Sequence, residues 1–463
     1  MPDPRIVLAA PGSGSGKTTI TCGLLQALTE RGRKVFSFKC GPDYIDPSFS
    51  ERVIGVPSGT LDLFFSEPDT LRRLFLRNAA GAEISVVEGV MGYYDGLGAA
   101  TEEASTYAVA KALSAPVVLI VDARGQSLSA LATLEGFLRF RPDSGIRGVI
   151  FNRMSGHVYE ALKPEIEKLG VRPLGYLPKS DRLMIESRHL GLVSPGEIEN
   201  LSEKLHELAK TLEETLDIDE ILAMAEEAEP LPAPPAPARP KGPKARIAAA
   251  RDEAFSFWYR DNLALLSELG AEICFFSPLH DPCLPEGVRG LILPGGYPEL
   301  YAEALSGNIS MRKSIASAIK AGMPCLAECG GFLYLHRELL DPSGAAFPMC
   351  GLIDAKAWKT ERLGRFGYIT LRTEWDRGLL LPGETIRAHE FHYYESSDPG
   401  TDVRAEKPTG KRSWECIHDR GNLFAGFPHL FYESNPQFIM RFLERCSEYA
   451  FRPDAGPSDS GSR

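Results

Sequence analysis

The sequence predicts an α/β protein that is divided into two domains. The chain has 463 residues, which is more than one hydrophobic core of usual size contains. Short apolar runs rich in β-branched residues alternate with helix-like stretches in both halves, a pattern typical of parallel sheets covered by helices. A run of proline and alanine separates the two halves and cannot form a core of its own.

The predicted domain boundaries follow from these changes in composition. In the first half, β-branched runs predict strands around residues 6–8, 35–38, 85–87, 117–121, 148–151 and 174–177. In the second half, the alternation resumes at Arg246. We predict an N-terminal domain over residues 1–225, a linker over 226–245, a C-terminal domain over 246–450 and a disordered tail over 451–463.

Composition limits the classes of partner and the compartment. The net charge of −11 disfavours nucleic acid and anionic membranes as main partners, because both repel an acidic surface. No apolar run reaches the roughly 20 residues that span a bilayer, and no signal-type segment follows the N-terminus, so we expect a cytoplasmic protein. The nine cysteines are scattered through apolar segments, as expected of reduced, mostly buried thiols. Cys325 and Cys329 lack a second pair at zinc-ligand spacing.

A glycine-rich loop follows the first predicted strand and precedes the first predicted helix. In such a loop, backbone N–H groups turn inward on a phosphate at the positive end of the helix. Lys17 would reach the outer phosphates, and Thr18 would ligate a magnesium ion. The usual first glycine is replaced by Pro11, and a glycine-rich turn with a chance GKT is the alternative. The predicted ATP-binding residues are Gly12, Ser13, Gly14, Ser15, Gly16, Lys17, Thr18 and Thr19. This half is therefore predicted to be a P-loop NTPase-like domain with a parallel sheet.

Carboxylates follow the next two predicted strands, in the segments 39–47 and 88–96. Open α/β sheets bind ligands at the carboxyl ends of their strands, so these side chains are expected near Lys17. Acidic groups beside a triphosphate require cations between them, which indicates magnesium. We predict Thr18, Asp43 and Glu88 as its ligands. Asp122, which follows another strand, is a further candidate, and each carboxylate could instead cap a helix.

In the second half, an apolar strand runs into Cys329, which is followed by two glycines and a predicted helix. A nucleophile on such a strand-to-helix turn is held out of the sheet, and the helix end favours the thiolate. Gly330, together with Gly295 and Gly296 in a second glycine turn, would supply an oxyanion hole. The alternative is that Cys329 is a small buried hydrophobic residue.

The general base for Cys329 must come from elsewhere in the chain. We predict His429 for this role. His389 and His392 are its rivals, and each of the three could instead be a hydrogen-bonded histidine of the core.

In order along the chain, the motifs SGSGKTT, KCGPDYIDP, EGVMGYYDG, SRHLGL, ARDEAFSFWY, GGYPEL, AECGGFLYL and HEFHYYE resemble the cobyrinic acid a,c-diamide synthase family. The resemblance extends from Arg5 to about Phe442. It implies an ATP-dependent, glutamine-hydrolysing ligase that amidates the a and c side-chain carboxylates of a tetrapyrrole in cobalamin or related biosynthesis. It also implies that the C-terminal domain is a class I glutamine amidotransferase.

Three departures accompany this resemblance. Better-known glutamine amidotransferases carry a triad Glu two residues after the histidine, whereas this chain, like diamide synthases, does not; it has Phe431 there, so a Cys329–His429 dyad is expected. Ser58–Phe65 reads SGTLDLFF in place of an SRNLD-type stretch, and Ser50 stands where His is common. The last two departures leave cobyrinate, hydrogenobyrinate, nickel-sirohydrochlorin and siroheme open as substrates.

The resemblance implies that ATP phosphorylates a substrate carboxylate and that ammonia released at Cys329 attacks the acyl phosphate. Substrate-binding residues are expected near the phosphate site, where carboxylates orient the substrate, aromatic rings face the macrocycle and cations clamp its carboxylates. The predicted substrate residues are Tyr44, Asp46, Tyr94, Asp95, Arg188 and His189.

Two other classes of function remain open from the sequence. A partition-type regulatory P-loop ATPase would explain Lys17 and Asp122 but leaves the second domain without a role. A tetrapyrrole-binding protein with an inactive glutaminase is the other alternative, although Cys329 and His429 are both present. The order of the amidations is open, and so is the oligomeric state, for which a homodimer is one option.

Overall fold

The computed structural model describes residues 3–43, 45–180, 182–183, 185, 195–235, 237, 239 and 242–449. The predicted tail and the candidate residues Tyr44, Arg188 and His189 lie outside these ranges. The chain divides into two compact units, Met1–Pro237 and Ala238–Arg463. The division falls within the stretch that the sequence predicts as a linker.

The first unit contains one sheet of seven strands, all parallel to their neighbours, in the order β3-β2-β4-β1-β5-β6-β7. Its central strands are buried along their whole length, because helices cover both faces of the sheet. The strands are β1 (Arg5–Ala9), β2 (Val35–Cys40), β3 (Ser58–Leu61), β4 (Ile84–Glu88), β5 (Val117–Asp122), β6 (Ile146–Asn152) and β7 (Arg172–Leu177).

The helices of this unit pack on the two sheet faces, and each face has its own apolar core. They are α1 (Lys17–Glu30), α2 (Ile45–Phe49), which continues into a π-helical turn at Ser50–Ile54, α3 (Pro68–Asn78), α4 (Thr106–Ala112), α5 (Ser129–Phe140), α6 (Gly156–Lys168), α7 (Pro195–Thr215) and α8 (Ile218–Glu226). Gly23 of α1 lies against Leu208 and Leu212 of α7, at positions that a side chain would occupy.

The second unit begins with a six-stranded sheet in the order β20-β21-β11-β10-β8-β9, parallel except for the edge strand β20. Its strands are β8 (Ala245–Ala250), β9 (Ala271–Phe276), β10 (Gly290–Leu293), β11 (Cys325–Glu328), β20 (His418–Arg420) and β21 (Leu423–Gly426). Its helices are α9 (Arg260–Glu268), α10 (Ala302–Gly307), α11 (Ile309–Lys320), α12 (Gly330–Tyr334) and α13 (Pro436–Glu448), with 3₁₀ turns at Pro298–Tyr301 and Tyr432–Ser434.

Two further sheets complete the second unit. One contains β12 (His336–Leu340), β13 (Ala346–Pro348), β14 (Ile353–Lys359) and β17 (Tyr394–Ser396). The other is antiparallel and contains β15 (Phe366–Arg372), β16 (Ile386–Phe391), β18 (Val403–Glu406), β19 (Ser413–Cys416) and β22 (His429–Leu430). The α/β prediction is confirmed for both units.

The environment of the cysteines also agrees with the sequence prediction. All nine lie among the described residues and are free thiols, and most of them are buried.

Within the described ranges, each helix is too short or too polar to cross a lipid bilayer.

Candidate functional sites

The glycine-rich loop lies between β1 and α1, as predicted, and borders an open cavity of about 440 Å³. This volume is within the range of small-molecule sites in proteins. The loop contributes Ser13, Gly14, Gly16, Lys17, Thr18 and Thr19 to the cavity wall. Strands β2 and β4 contribute Lys39 and Glu88, the loop after β2 contributes Asp43, and helix α2 contributes Asp46. The structure therefore brings the predicted phosphate loop together with three of the four predicted carboxylates.

Gly16 shows why this loop needs glycine. Its φ of 95° is in the left-handed region, and a Cβ there would lie 2.0 Å from Nδ2 of Asn152. The Asn152 amide donates to the carbonyl oxygen of Ser15 at 2.8 Å, so the end of β6 supports the loop from behind. Asn152 carried no motif signal in the sequence, because its contact depends on the order of the strands.

Lys17 points across the loop towards the cavity. Its Nζ donates to the carbonyl oxygens of Gly12, at 3.2 Å, and Met91, at 2.6 Å. Burial lowers the pKa of Lys17 to about 8, while nearby Glu88 acts in the opposite direction. A phosphate anion in the cavity would raise the pKa of Lys17 again, because an opposite charge within a few ångströms favours the ionised form.

Lys39 also lines the cavity but was not among the site residues predicted from the sequence. It is the fifth residue of β2, and its Nζ lies 2.6 Å from Asp46 Oδ2 and 2.7 Å from Glu88 Oε1. Burial by itself lowers the pKa of Lys39, but Glu88 and Asp46 outweigh it and raise the pKa well above the ordinary value. A charged lysine thus holds two of the predicted site carboxylates in a buried network.

This network defines a prediction for stability. We expect Lys39→Met to lower the free energy of unfolding by about 3–5 kcal/mol, because it leaves two buried carboxylates without their cation. Urea unfolding measures the change, and Lys34→Met, at an exposed lysine just before β2, is the matched control. Magnesium ions should restore part of the loss in Lys39→Met only. A Lys39→Met protein as stable as the Lys34→Met protein would contradict the pairing.

The predicted magnesium ligands fit a divalent cation in part. Thr18 Oγ1 donates to Glu88 Oε1 at 2.7 Å, so hydroxyl and carboxylate oxygens already meet in the cavity, and Asp43 lines the same wall. Within the described ranges, no group of three or more His, Cys, Asp and Glu side chains is arranged to hold a metal. Magnesium needs only one or two protein carboxylates, because phosphates and waters complete its shell.

Other candidates near this cavity have different surroundings. Asp46 is paired with Lys39, and Asp95 accepts a hydrogen bond from the backbone N–H of Gly92 at 2.9 Å.

Tyr94 packs against the ring of Phe137 and donates its hydroxyl proton to the Phe137 carbonyl oxygen at 2.7 Å. Tyr94 therefore packs against α5, and its predicted contact with a macrocycle stays a prediction. Asp122 pairs with Arg153 at 2.7 Å, and Arg153 lines the cavity.

The second unit places Cys329 on the predicted turn between β11 and α12. Its φ of 46° is rare for a residue with a side chain, and such strain is typical of functional sites. Its backbone N–H donates to the carbonyl oxygen of Gly426 at 2.8 Å, which fixes the turn to the neighbouring strand β21. The predicted nucleophile elbow is therefore present.

The protonation state of Cys329 differs from the sequence expectation. The backbone N–H of Gly330 does lower the pKa of the thiol, as a helix start should, but burial raises it more, and Glu299 and Glu390 add to the increase. The resting group is a thiol, so it needs a base to become a nucleophile.

The three predicted oxyanion-hole glycines lie together. A Cβ on Gly330 would lie 2.9 Å from the backbone nitrogen of Gly296, and one on Gly295 would lie 2.3 Å from Cε1 of His429. The glycine turn after β10 therefore contacts the elbow on one side and the predicted base on the other. Side chains at these positions would push the two catalytic candidates apart.

His429 is buried and neutral at physiological pH. Its pKa is lowered to about 3, chiefly by burial and also by the nearby His389 and His392. His429 in β22 pairs with His389 in β16, so the two side chains lie on the same face of the sheet. His392 is engaged by Glu390 at 2.8 Å and by the carbonyl oxygen of Tyr394. His429 is the candidate whose ring adjoins Gly295, in the glycine turn beside Cys329.

Comparison with known proteins agrees with this division of the chain. Residues 6–193 match the family model of the CobQ/CobB/MinD/ParA nucleotide binding domain. Residues 246–437 match the model of the CobB/CobQ-like glutamine amidotransferase domain.

Full-length relatives share the same arrangement. The chain is 38% identical over 447 residues to a cobyrinate a,c-diamide synthase of Caldanaerobacter subterraneus subsp. tengcongensis, covering 96% of this chain and 98% of the relative. It is 39% identical to one of Dehalococcoides mccartyi, covering 95% and 97%. It is 40% identical to one of Salmonella typhimurium, covering 94% and 97%.

Proposed function

Because the chain belongs to the cobyrinate a,c-diamide synthase family and is a glutamine-dependent carbon–nitrogen ligase, we propose that it amidates the a and c side-chain carboxylates of a tetrapyrrole with ATP. The observation that carries the proposal is the strained Cys329 elbow beside His429, in a chain that also holds a P-loop cavity. One site releases ammonia, and the other activates the carboxylate that receives it.

The first half-reaction uses Cys329 and His429. Neutral His429 takes the thiol proton as the sulfur attacks the side-chain amide carbon of glutamine. A carbon–sulfur bond forms and the carbon–nitrogen bond breaks, while His429 gives the proton to the leaving nitrogen, which departs as ammonia. Water then hydrolyses the thioester to glutamate and restores the thiol. Backbone N–H groups of the glycine turn would stabilise the oxyanion.

The second half-reaction uses the P-loop cavity. A substrate carboxylate oxygen attacks the terminal phosphorus of ATP, and ADP leaves, so that an acyl phosphate forms. Ammonia attacks its carbonyl carbon, and phosphate departs as the amide is made. Lys17 neutralises charge on the transferred group, and Lys39 holds Asp46 and Glu88 in place. A bound magnesium ion, held by Thr18, Asp43 and Glu88, would offset the charge of the phosphates.

For the substrate, we propose that the segment around Arg188 and His189 supplies the cations that clamp peripheral carboxylates. Ile185, three residues before Arg188, lines the P-loop cavity, and its backbone N–H donates to Thr19 Oγ1 at 3.2 Å. The chain therefore lies at the cavity wall three residues before Arg188. A polycarboxylate substrate and the net charge of −11 together require such a local basic anchor.

We also propose a cytoplasmic location, where ATP and glutamine are supplied.

The partition-type ATPase alternative is not supported, because residues 246–437 match an amidotransferase model. The alternative tetrapyrrole substrates would undergo the same amidation reaction. Ser50 and Ser58 are both buried, the first in the π-helical turn and the second in β3, so these departures lie outside the P-loop.

Turnover with labelled reagents tests the proposal. Cobyrinate, hydrogenobyrinate, nickel-sirohydrochlorin and siroheme are each supplied with ATP and with glutamine isotopically labelled at its amide nitrogen. We expect cobyrinate to acquire labelled amides at the a and c positions, read by mass. When its carboxylates carry heavy oxygen, the released phosphate should acquire that label, because an acyl phosphate transfers one carboxylate oxygen.

Each departure from this result has a definite meaning. Labelled amides on nickel-sirohydrochlorin or siroheme alone would assign the alternative substrate. Phosphate without heavy oxygen, together with amide formation, would contradict the acyl phosphate. ATP hydrolysis without any amide product would contradict the proposed function.

A further inference from the structure

Glu328, the residue directly before the nucleophile, is a buried carboxyl group that the steps above do not use. It ends β11, and only 6% of its surface is exposed. The phenol of Tyr432 donates to its Oε1 at 3.2 Å, and the backbone N–H of Leu430 donates to its Oε2 at 3.4 Å. Glu328 thus contacts the segment that carries His429, at positions on both sides of Phe431.

Phe431 itself offers the predicted base no polar support. This is the position at which better-known glutamine amidotransferases carry their triad acid. The aromatic ring of Phe431 packs edge-on against Tyr259, with 5.7 Å between the ring centroids. A phenyl ring cannot accept an imidazole N–H in place of a carboxylate. An acid that orients His429 must therefore come from another element.

A small enclosed cavity connects Glu328 with His429. Its volume is about 10 Å³, which is close to the space that one water molecule requires. Glu328 and His429 both line it, together with Tyr432, Tyr259, Asn262 and Trp258. Glu328, His429, Tyr259 and Tyr432 bring polar side chains to this wall, and a buried water needs two to four hydrogen-bonding partners.

We propose that Glu328 is the positioning acid of the glutaminase site and that it acts on His429 through one water molecule in this cavity. The inference rests on the proposed function, because it assigns a support to the base of that reaction. Glu328 fixes the orientation of the ring and stabilises the imidazolium that forms when the ring holds the thiol proton. The proton itself stays on His429 until the leaving nitrogen takes it.

The ionisation of Glu328 determines the pH range in which it can stabilise the imidazolium of His429. Burial raises the pKa of Glu328, whereas the hydrogen bonds from Tyr432 and Leu430 lower it. The net pKa is about 8. The groups that face the pair are the phenols of Tyr432 and Tyr259, the thiol of Cys329 and, beyond His429, the rings of His389 and His392. The carboxylate form is present above the pKa of Glu328 and is lost as the pH falls below it.

The test measures kcat/KM for glutamine hydrolysis across the neutral and alkaline range. We expect a limb that rises with pH, with its midpoint at about 8, since kcat/KM reports the free enzyme. The thiol of Cys329 titrates higher, because its pKa is raised above its ordinary value. Glu328→Gln keeps the size of the side chain but should remove this limb and lower kcat/KM about 10-fold to 100-fold. Its ammonium-dependent amidation should be unchanged.

Tyr432→Phe supplies the second variant. It removes one hydrogen bond that lowers the pKa of Glu328, so the limb should move to higher pH while remaining present. This variant keeps the carboxylate and decides the question if Glu328→Gln fails to fold.

A purely structural carboxyl gives a different set of results. A Glu328→Gln protein that melts early but keeps the wild-type pH profile and kcat/KM would overturn the inference, and so would a Tyr432→Phe profile with an unmoved limb. Both outcomes leave the proposed function intact if glutamine hydrolysis still requires Cys329. Hydrolysis that does not require Cys329 would contradict the proposed function itself.

Discussion

Cys329→Ser is expected to lower glutamine-dependent amidation by roughly a thousandfold or more while ammonium-dependent amidation continues. Only thioester formation needs the sulfur, and ammonium salts bypass that step. The serine keeps the left-handed backbone turn occupied by a side chain of similar size, and its hydroxyl is a far weaker nucleophile than a thiolate. Both rates are measured on one protein preparation, with glutamine or ammonium as nitrogen donor.

The control for this variant is Cys325→Ser, which lies on the same strand and is fully buried. It introduces the same change from thiol to hydroxyl without altering the elbow. We expect it to lower the melting temperature but to leave the ratio of the glutamine and ammonium rates unchanged. Equal loss with both donors in Cys329→Ser would show that Cys329 is structural.

Lys17→Ala is expected to lower amidation from either donor by about 100-fold to 1000-fold, the range for losing one preorganised charge-stabilising donor. Both donors depend on the activated carboxylate, so ammonium cannot rescue this variant. Glutamine hydrolysis in the absence of tetrapyrrole should remain, because its groups lie in the second unit. Product formation and glutamate release are measured in parallel.

Lys163→Ala, at an exposed lysine of α6, is the matched control and should leave both rates unchanged. Full ammonium-dependent amidation by Lys17→Ala would remove the P-loop from the reaction. Together with Cys329→Ser, this variant separates the two half-reactions by their nitrogen donor.

The sequence was most informative where a function depends on consecutive residues. The phosphate loop and the Cys329 elbow are both strand–turn–helix units, so the spacing of their glycines was enough to locate them. The glycines predicted to form an oxyanion hole were located from the same kind of local pattern, and their role stays a prediction.

Residues that meet through sheet topology were harder to predict. Lys39 reaches Glu88 because β2 and β4 are neighbours in the sheet, with Lys39 directly opposite Glu88. That pairing follows from the strand order, which no local pattern encodes. The position of Lys39 directly before the carboxylate motif was the available signal, because a lysine at the end of a buried strand requires an anionic partner.

The short and antiparallel strands were missed for a related reason. β3 has four residues with serine and glycine among them, and it lacks a β-branched run of usual length. The sheets formed by β12 to β19 contain alternating buried and exposed residues, but their pairings are set by hairpins and crossovers. The packing of α5 against the ring of Tyr94 was likewise not visible in the sequence.

The raised pKa of the Cys329 thiol also bears on the chemical durability of the resting protein. Peroxides and alkylating reagents attack the thiolate, so a nucleophile kept protonated by burial and by the neighbouring Glu299 and Glu390 is oxidised slowly. Negatively charged reagents are further repelled by those carboxylates. In the proposed mechanism, the cysteine is thereby protected between turnovers and becomes reactive when His429 takes its proton in the presence of bound glutamine.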